Sequence, residues 1–190
     1  MTQEELNRIL ALHEDWLMSG GERVNLVGAN LDGMDFTNAK LSRMNFLGAS
    51  LKYANFTGVD LIGSTLKYAN FTGTNFTGAK LGGATLTATN FTDANFAGAN
   101  LSGAIFSHTN LTHANFKGAD LFRAALPLWC GGLNWKLDRL QMSQLAYHFC
   151  SMQCEDEAVK KMQIALYDFA NEFADSRSDL KNKKFSEVSS

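Results

Sequence analysis

Three cysteines and a histidine late in the chain carry the residue types best suited to chemistry. Cys150 and Cys154 are four apart, so a helix would put both thiols on one face. Cys130 could join them through a turn, and these residues with His148 are of the types that bind zinc. His148 weakens that set, because it would have to reach the metal from a different direction. Residues two apart on a helix do not face each other, which also argues against a His148–Cys150 nucleophile pair. With three cysteines, at least one has no disulfide partner within the chain, and their late placement does not describe a disulfide framework. Buried or part-buried free thiols are the favoured reading, and no metal or other cofactor is expected.

The element that dominates the chain is a repeat. Every fifth residue from Leu26 to Leu126 is leucine or phenylalanine, without interruption. A small residue and then a polar one precede each centre, as in Ala54-Asn55-Phe56 and Ala119-Asp120-Leu121. Glycine often follows two positions later, as at Gly58, Gly73 and Gly98. A period of five fits neither a helix nor an alternating strand. It fits a chain that turns a corner once per five residues, with the large centres and the small residues inside.

This pattern resembles the pentapeptide repeat family over about residues 22–126. The resemblance implies an all-β solenoid, a right-handed quadrilateral β-helix in which four five-residue sides make a coil of twenty. About five such coils at ordinary strand spacing form a stack about 25 Å long. Folding the sequence at twenty tests that coil size. One column reads Phe36, Phe56, Phe76, Phe96, Phe116, and the next reads Leu41, Leu61, Leu81, Leu101, Leu121. The other two columns mix leucine and phenylalanine. Two uniform columns support four sides, and the phenylalanine column predicts an aromatic ladder inside the stack.

The same folding assigns the surface. Asn70, Asn90 and Asn110 are expected to hydrogen-bond near the corners. Thr72, Thr92 and Thr112 form one exposed row, and Thr37, Thr57 and Thr77 another. Both rows are too short and interrupted to read as an ice-binding array. Tyr53, Tyr68, His108 and His113 stand where glycine is common. Lys52-Tyr53 and Lys67-Tyr68 repeat as pairs on adjacent sides. They read either as an exposed recognition patch, since tyrosine favours interfaces, or as tolerated variation at a wide corner. No cysteine or carboxylate at metal-like spacing joins His108 and His113.

Some pentapeptide repeat proteins bind DNA-processing enzymes by resembling duplex DNA, which demands a strongly negative rod. Between Glu22 and Leu126 there are six acids and eight bases, formally +2. That departure argues against DNA mimicry. Scattered bases on a chain of net charge -2 do not argue for direct nucleic-acid binding either.

Both ends break the period. Residues 3–18 read as a helix, with Thr2 and Glu5 as a capping box and Leu6, Ile9, Leu10, His13, Trp16 and Leu17 on one stripe. A bare solenoid end exposes apolar core and unpaired edges, so residues 1–21 are expected to cap the coils of 22–126. After Pro127, Trp129 to Trp135 reads as a compact aromatic turn. Helices are expected from about Leu137 to Met152 and from about Asp156 to Glu172. Residues 127–175 then form a C-terminal helical cap, which either only caps or also offers a surface for a target or a second copy. Residues 176–190 form a charged tail expected to fray.

The expected function is a non-enzymatic protein-interaction or structural scaffold, since a closed four-sided stack has no natural pocket. The alternative is a regulator or inhibitor of a DNA-processing enzyme such as a topoisomerase. Tyr53, Tyr68, Trp129, Trp135 and His148 are the candidate interaction residues. The partner is expected to be a protein, with homodimerisation through the C-terminal helices as a further expectation. No secretory signal is visible, and no apolar run is long enough for a membrane span. A cytoplasmic location follows as the expectation.

Overall fold

The computed structural model describes residues 1–20 and 24–126. The expected elements beyond Leu126, including both C-terminal helices, lie outside the described residues.

Helix α1 spans Gln3–Ser19. Its start is the reciprocal pair expected from the sequence: Thr2 Oγ1 accepts from Glu5 N–H at 3.2 Å, and Glu5 Oε2 accepts from Thr2 N–H at 2.7 Å. Gly20 ends it in a positive-φ conformation, its N–H donating to the Trp16 carbonyl. The predicted stripe is the covered one. Leu6 and His13 are buried, and Ile9, Leu10, Trp16 and Leu17 are partly covered.

From Leu26 onward the chain coils with a repeat of twenty. Sixteen parallel bridges pair residue i with i+20, from Asn30 with Ser50 to Ile105 with Ala125. Each side contributes one bridge residue rather than a run of strand. A corner every five residues leaves no room for longer pairing. At each corner the centre's carbonyl accepts from the N–H three residues on, as from Met34 to Leu31 at 3.2 Å. The residue before this donor has positive φ, the mark of a type II turn. Remaining backbone groups bond between coils: Leu31 N–H donates to Ser50 O, and Ser50 N–H donates to Ala29 O. Main-chain pairing is thereby carried up the stack, as buried amides require.

The centres fill the interior. Phe36, Phe56, Phe76, Phe96 and Phe116 are buried and stack at centroid distances of 4.4, 5.2, 4.9 and 5.1 Å. Phenylalanines from the mixed columns brace this ladder edge-on, as Phe91 does against Phe76 at 5.8 Å and 73°. The small residues also face inward: Ala54, Ala79, Ala94 and Ala114 are buried. Where a hydroxyl replaces alanine it takes a main-chain carbonyl, as Thr74 Oγ1 does with Leu51 O at 2.7 Å.

Asparagines hold the corners from outside. Asn70, Asn90 and Asn110 each accept from the N–H two residues on through Oδ1. Threonine hydroxyls on both rows are engaged in the same network, as Thr72 Oγ1 donates to Asn70 Oδ1 and Thr57 Oγ1 to Asn55 Oδ1. Asn75 Nδ2 then reaches the coil below, donating to Thr57 Oγ1 at 3.0 Å.

Helix α1 bonds the edge of the first coil. The Gln3 side chain donates to Asp35 O at 2.8 Å and accepts from Asp35 N–H at 2.9 Å. His13 Nε2 lies 3.2 Å from Ser42 O, and Lys40 pairs with Glu14 at 3.1 Å. Leu6 has no exposed surface, and burying a leucine contributes about 2 kcal/mol.

Candidate interaction face

The corners decide what this rod presents. Twenty corners run from Gly28 to Arg123, and the third turn residue of each has φ between +56° and +70°. Eleven of these residues are glycine. Nine are not: Asn38, Arg43, Tyr53, Tyr68, Ala88, Asp93, His108, His113 and Arg123. A left-handed residue with a side chain costs roughly 1–2 kcal/mol, and a bulky one is a true outlier.

These nine are not spread evenly. Stacked by twenty, one corner column reads Gly33, Tyr53, Gly73, Asp93, His113, and the corner before it reads Gly28, Gly48, Tyr68, Ala88, His108. The two columns border a single face and hold six of the nine non-glycines. The opposite pair of columns holds Asn38, Arg43 and Arg123.

Between these borders the face is flat. Its outward residues include Asn70, Thr72, Asn90 and Thr92, whose side chains are bonded to one another in pairs. The borders project. Tyr53 is 72% exposed and Tyr68 is 67% exposed, which sets them apart from the buried phenylalanines. The Tyr53 ring leans over Gly73 in the coil above. Higher on that border, His113 Nδ1 lies 3.3 Å from Asp93 Oδ1, a pairing across one coil. At the lower end the Asp32 carboxylate reaches the coil above, accepting from Ser50 Oγ at 2.6 Å and from Lys52 N–H at 2.9 Å.

Two of the five sequence candidates, Tyr53 and Tyr68, are thus borders of one face. Trp129, Trp135 and His148 lie outside the described residues, as do Cys130, Cys150 and Cys154. Sequence reasoning grouped Tyr53, Tyr68, His108 and His113 as residues standing where glycine is common, but did not single out Asp93 among them. The available signal was the shared corner position: glycine at most corners marks a left-handed site, so every other residue there is an exception.

Grooves beside α1 are open rather than enclosed. One of about 510 Å³ is lined by Ile9, Leu12, Trp16 and Val24, among others. No group of three or more metal-ligating side chains converges among the described residues, and no helix among them is long and apolar enough to cross a membrane.

The sequence matches the profile of pentapeptide repeats in eight copies, over residues 22–52, 54–93 and 89–126. Among solved structures, it is similar to a pentapeptide repeat protein from the Arabidopsis thaliana thylakoid lumen, at 36% identity and TM-score 0.42, covering 48% of this chain and 67% of the other. Rfr23, a pentapeptide repeat protein from the cyanobacterium Cyanothece, is 26% identical with TM-score 0.41, covering 64% and 69%. QnrB1, a plasmid-mediated fluoroquinolone resistance protein, is 20% identical with TM-score 0.46, covering 70% and 73%. No protein of curated function matches the chain.

Proposed function

The chain belongs to the pentapeptide repeat family, whose fold is a right-handed quadrilateral β-helix, and from that premise we propose a non-enzymatic scaffold that captures a protein partner. Residues 22–126 form the presenting stack in this reading, and residues 1–21 cap its first coil. Residues 127–175 are assigned as a helical extension and 176–190 as a tail. The protein acts in the cytoplasm.

One observation carries the reading: Tyr53 and Tyr68, on left-handed backbone that glycine would adopt without strain, project from two borders of the same face. Tyrosine gives a large, rigid, amphipathic contact at low entropic cost, which is why it is enriched at interfaces. The bonds from Gln3 and His13 to the first coil support the capping role.

Affinity capture from native extract, followed by mass spectrometry, tests the scaffold. The intact chain is compared with a Tyr53→Ala/Tyr68→Ala variant of equal thermal stability. A protein retained by the intact chain and lost from the variant is the expected result. Identical protein sets on both would remove the support for this face.

A further inference from the structure

Helix α1 closes the lower edge of the first coil at some points and not at others. Gln3 takes both main-chain groups of Asp35, and His13 Nε2 lies against Ser42 O. The side that carries Leu26 has no such closure at Asn25. The Asn25 Oδ1 accepts from Val27 N–H at 3.0 Å, but its main-chain N–H and O bond to nothing among the described residues. Asn25 is also exposed.

The coils above show what those two groups do when a chain lies beneath them. Thr65 bridges Asn45 in parallel, on the same side of the stack. Thr65 N–H donates to Met44 O at 3.0 Å, and Phe46 N–H donates to Thr65 O at 2.8 Å. Asn25 has the same place in the first coil, where its donor and acceptor form an open template for another strand.

An apolar groove adjoins this template. Val24 and Asn25 line the opening of about 510 Å³ together with Ile9, Leu12 and Trp16 of α1. Leu12 is 60% exposed. A chain that pairs with Asn25 as Met44-Asn45-Phe46 pairs with Thr65 sets the counterpart of Phe46 beneath Leu26. That column points inward, since Leu26, Phe46, Leu66, Leu86 and Phe106 are all buried. Beneath Leu26, inward is towards the groove.

We propose that this edge binds an extended segment of a partner protein by strand addition. One large apolar side chain of the segment enters the groove. Asn25 donates to the carbonyl two residues before that side chain and accepts from the N–H of the residue that bears it. Main-chain bonds of this kind supply affinity, and the groove selects the side chain. The edge chooses the occupant: the ladder that joins coil to coil continues through a peptide, whereas a small apolar molecule offers no donor and acceptor in that register. The site lies on the first coil, apart from Tyr53 and Tyr68, and does not rest on the tyrosine face.

A display library of random linear peptides, selected on the full-length chain, tests the proposal. Enrichment of one large aliphatic or aromatic residue is expected. The enriched peptide is then made with a fluorophore and with single N-methyl groups on its main chain. Methylation at the apolar residue removes the donor to Asn25 and is expected to weaken binding about tenfold or more. Methylation one residue earlier, where the N–H points away from the protein, should leave affinity unchanged. Leu12→Glu and Asn25→Pro are each expected to bind about tenfold more weakly or worse. Met18→Glu, at a residue 88% exposed and outside the groove lining, and Asn25→Ala, which keeps the main-chain donor, should bind as the wild type does. Tyr53→Ala/Tyr68→Ala should also bind normally, so this site and the tyrosine face stand or fall separately. Melting temperatures confirm that each variant is folded; should Asn25→Pro fail to fold, the methylated peptides still report on the same bond. Failure to select any peptide overturns the proposal, as do equal effects of the two methylations or full binding by Leu12→Glu. A wild-type mass that doubles with concentration in light scattering, and stays single in Leu12→Glu, also overturns it by making a second copy the occupant.

Discussion

The ring of Tyr53 occupies the space into which a side chain at Gly73 would grow. A β-carbon built there would lie 2.5 Å from Tyr53 Cδ1 and 2.6 Å from Cε1. Gly78 has the same φ of +66° and nothing within 4 Å of its virtual β-carbon. The two glycines separate backbone strain from ring displacement. Gly78→Ala is expected to cost about 1 kcal/mol, the left-handed penalty alone. Gly73→Ala is expected to cost more and to shift the Tyr53 ring. In a Tyr53→Ala background the excess should vanish, and urea denaturation of the four-variant cycle measures it. Equal costs at both glycines in the wild-type background would refute the contact.

Tyr68 carries strain with no such contact to a glycine above it. Its φ is +59°, and Ala88 follows it in the column. Tyr68→Gly is expected to raise stability by about 0.5–1 kcal/mol, the relieved strain less the greater entropy of an unfolded glycine. Thermal unfolding is the measurement. Destabilisation would mean that the ring packs on the protein itself and is not held out for a partner.

The coil size, the aromatic column and the covered stripe of α1 were legible because each is a local pattern repeated. Twenty-residue stacking placed Phe56 on Phe76 before any coordinates, and a 3.6-residue period placed Leu6 beside His13. The corner conformation was half legible: glycine announced it, but the tyrosines were weighed as variation at a wide corner without counting the strain. The pairing of Asp93 with His113 and the lean of Tyr53 over Gly73 were not legible. Both depend on side-chain torsions across coils, which periodicity does not contain. Nor could any repeat rule find Gln3, which lies outside the repeat and 32 residues from Asp35.

Gln3 stands where a preceding coil would be. Within the stack, Asn55 N–H donates to Met34 O one coil down, and Asn55 O accepts from Phe36 N–H. Asp35, in the first coil, has its main-chain N–H and O bonded instead to the two ends of the Gln3 amide. Gln3→Leu removes both bonds and is expected to cost about 1–2 kcal/mol. Hydrogen exchange should accelerate at the Asp35 amide and stay slow at Asn75, in the middle of the stack. Unchanged protection at Asp35 would exclude an edge-closing role.

The Phe76 ring is braced on all sides, by Phe56 at 5.2 Å, Phe71 at 5.2 Å, Phe91 at 5.8 Å and Phe96 at 4.9 Å. Phe76→Ala is expected to cost 3–5 kcal/mol, roughly the full range for a core phenylalanine, because ladder neighbours above and below are held by the coils and cannot collapse inward. Chemical denaturation checks this, and a loss below about 2 kcal/mol would show that the interior relaxes.

Asp35 links the first coil to pH. The Thr37 hydroxyl, and after it the Thr37 N–H, hold its carboxyl below the ordinary value of 3.8, outweighing the opposite effect of burial. The bonds are 2.6 Å from Oγ1 and 3.0 Å from the amide. A depressed carboxyl contributes stability that is fully present above its unfolded value and lost as pH falls through the folded one. Thr37→Val removes the hydroxyl and leaves the amide, so the carboxyl should titrate closer to 3.8. It also breaks the bond from Asn55 Nδ2 at 2.8 Å, a loss that does not depend on pH. The stability difference between wild type and variant should therefore be largest at neutral pH. It should shrink as pH falls below 3.8 and settle at a residual set by Asn55. Carbon-detected titration of Asp35 and parallel denaturation at neutral and acid pH measure both parts. A difference that stays constant with pH would assign the whole effect to Asn55 and none to the carboxylate.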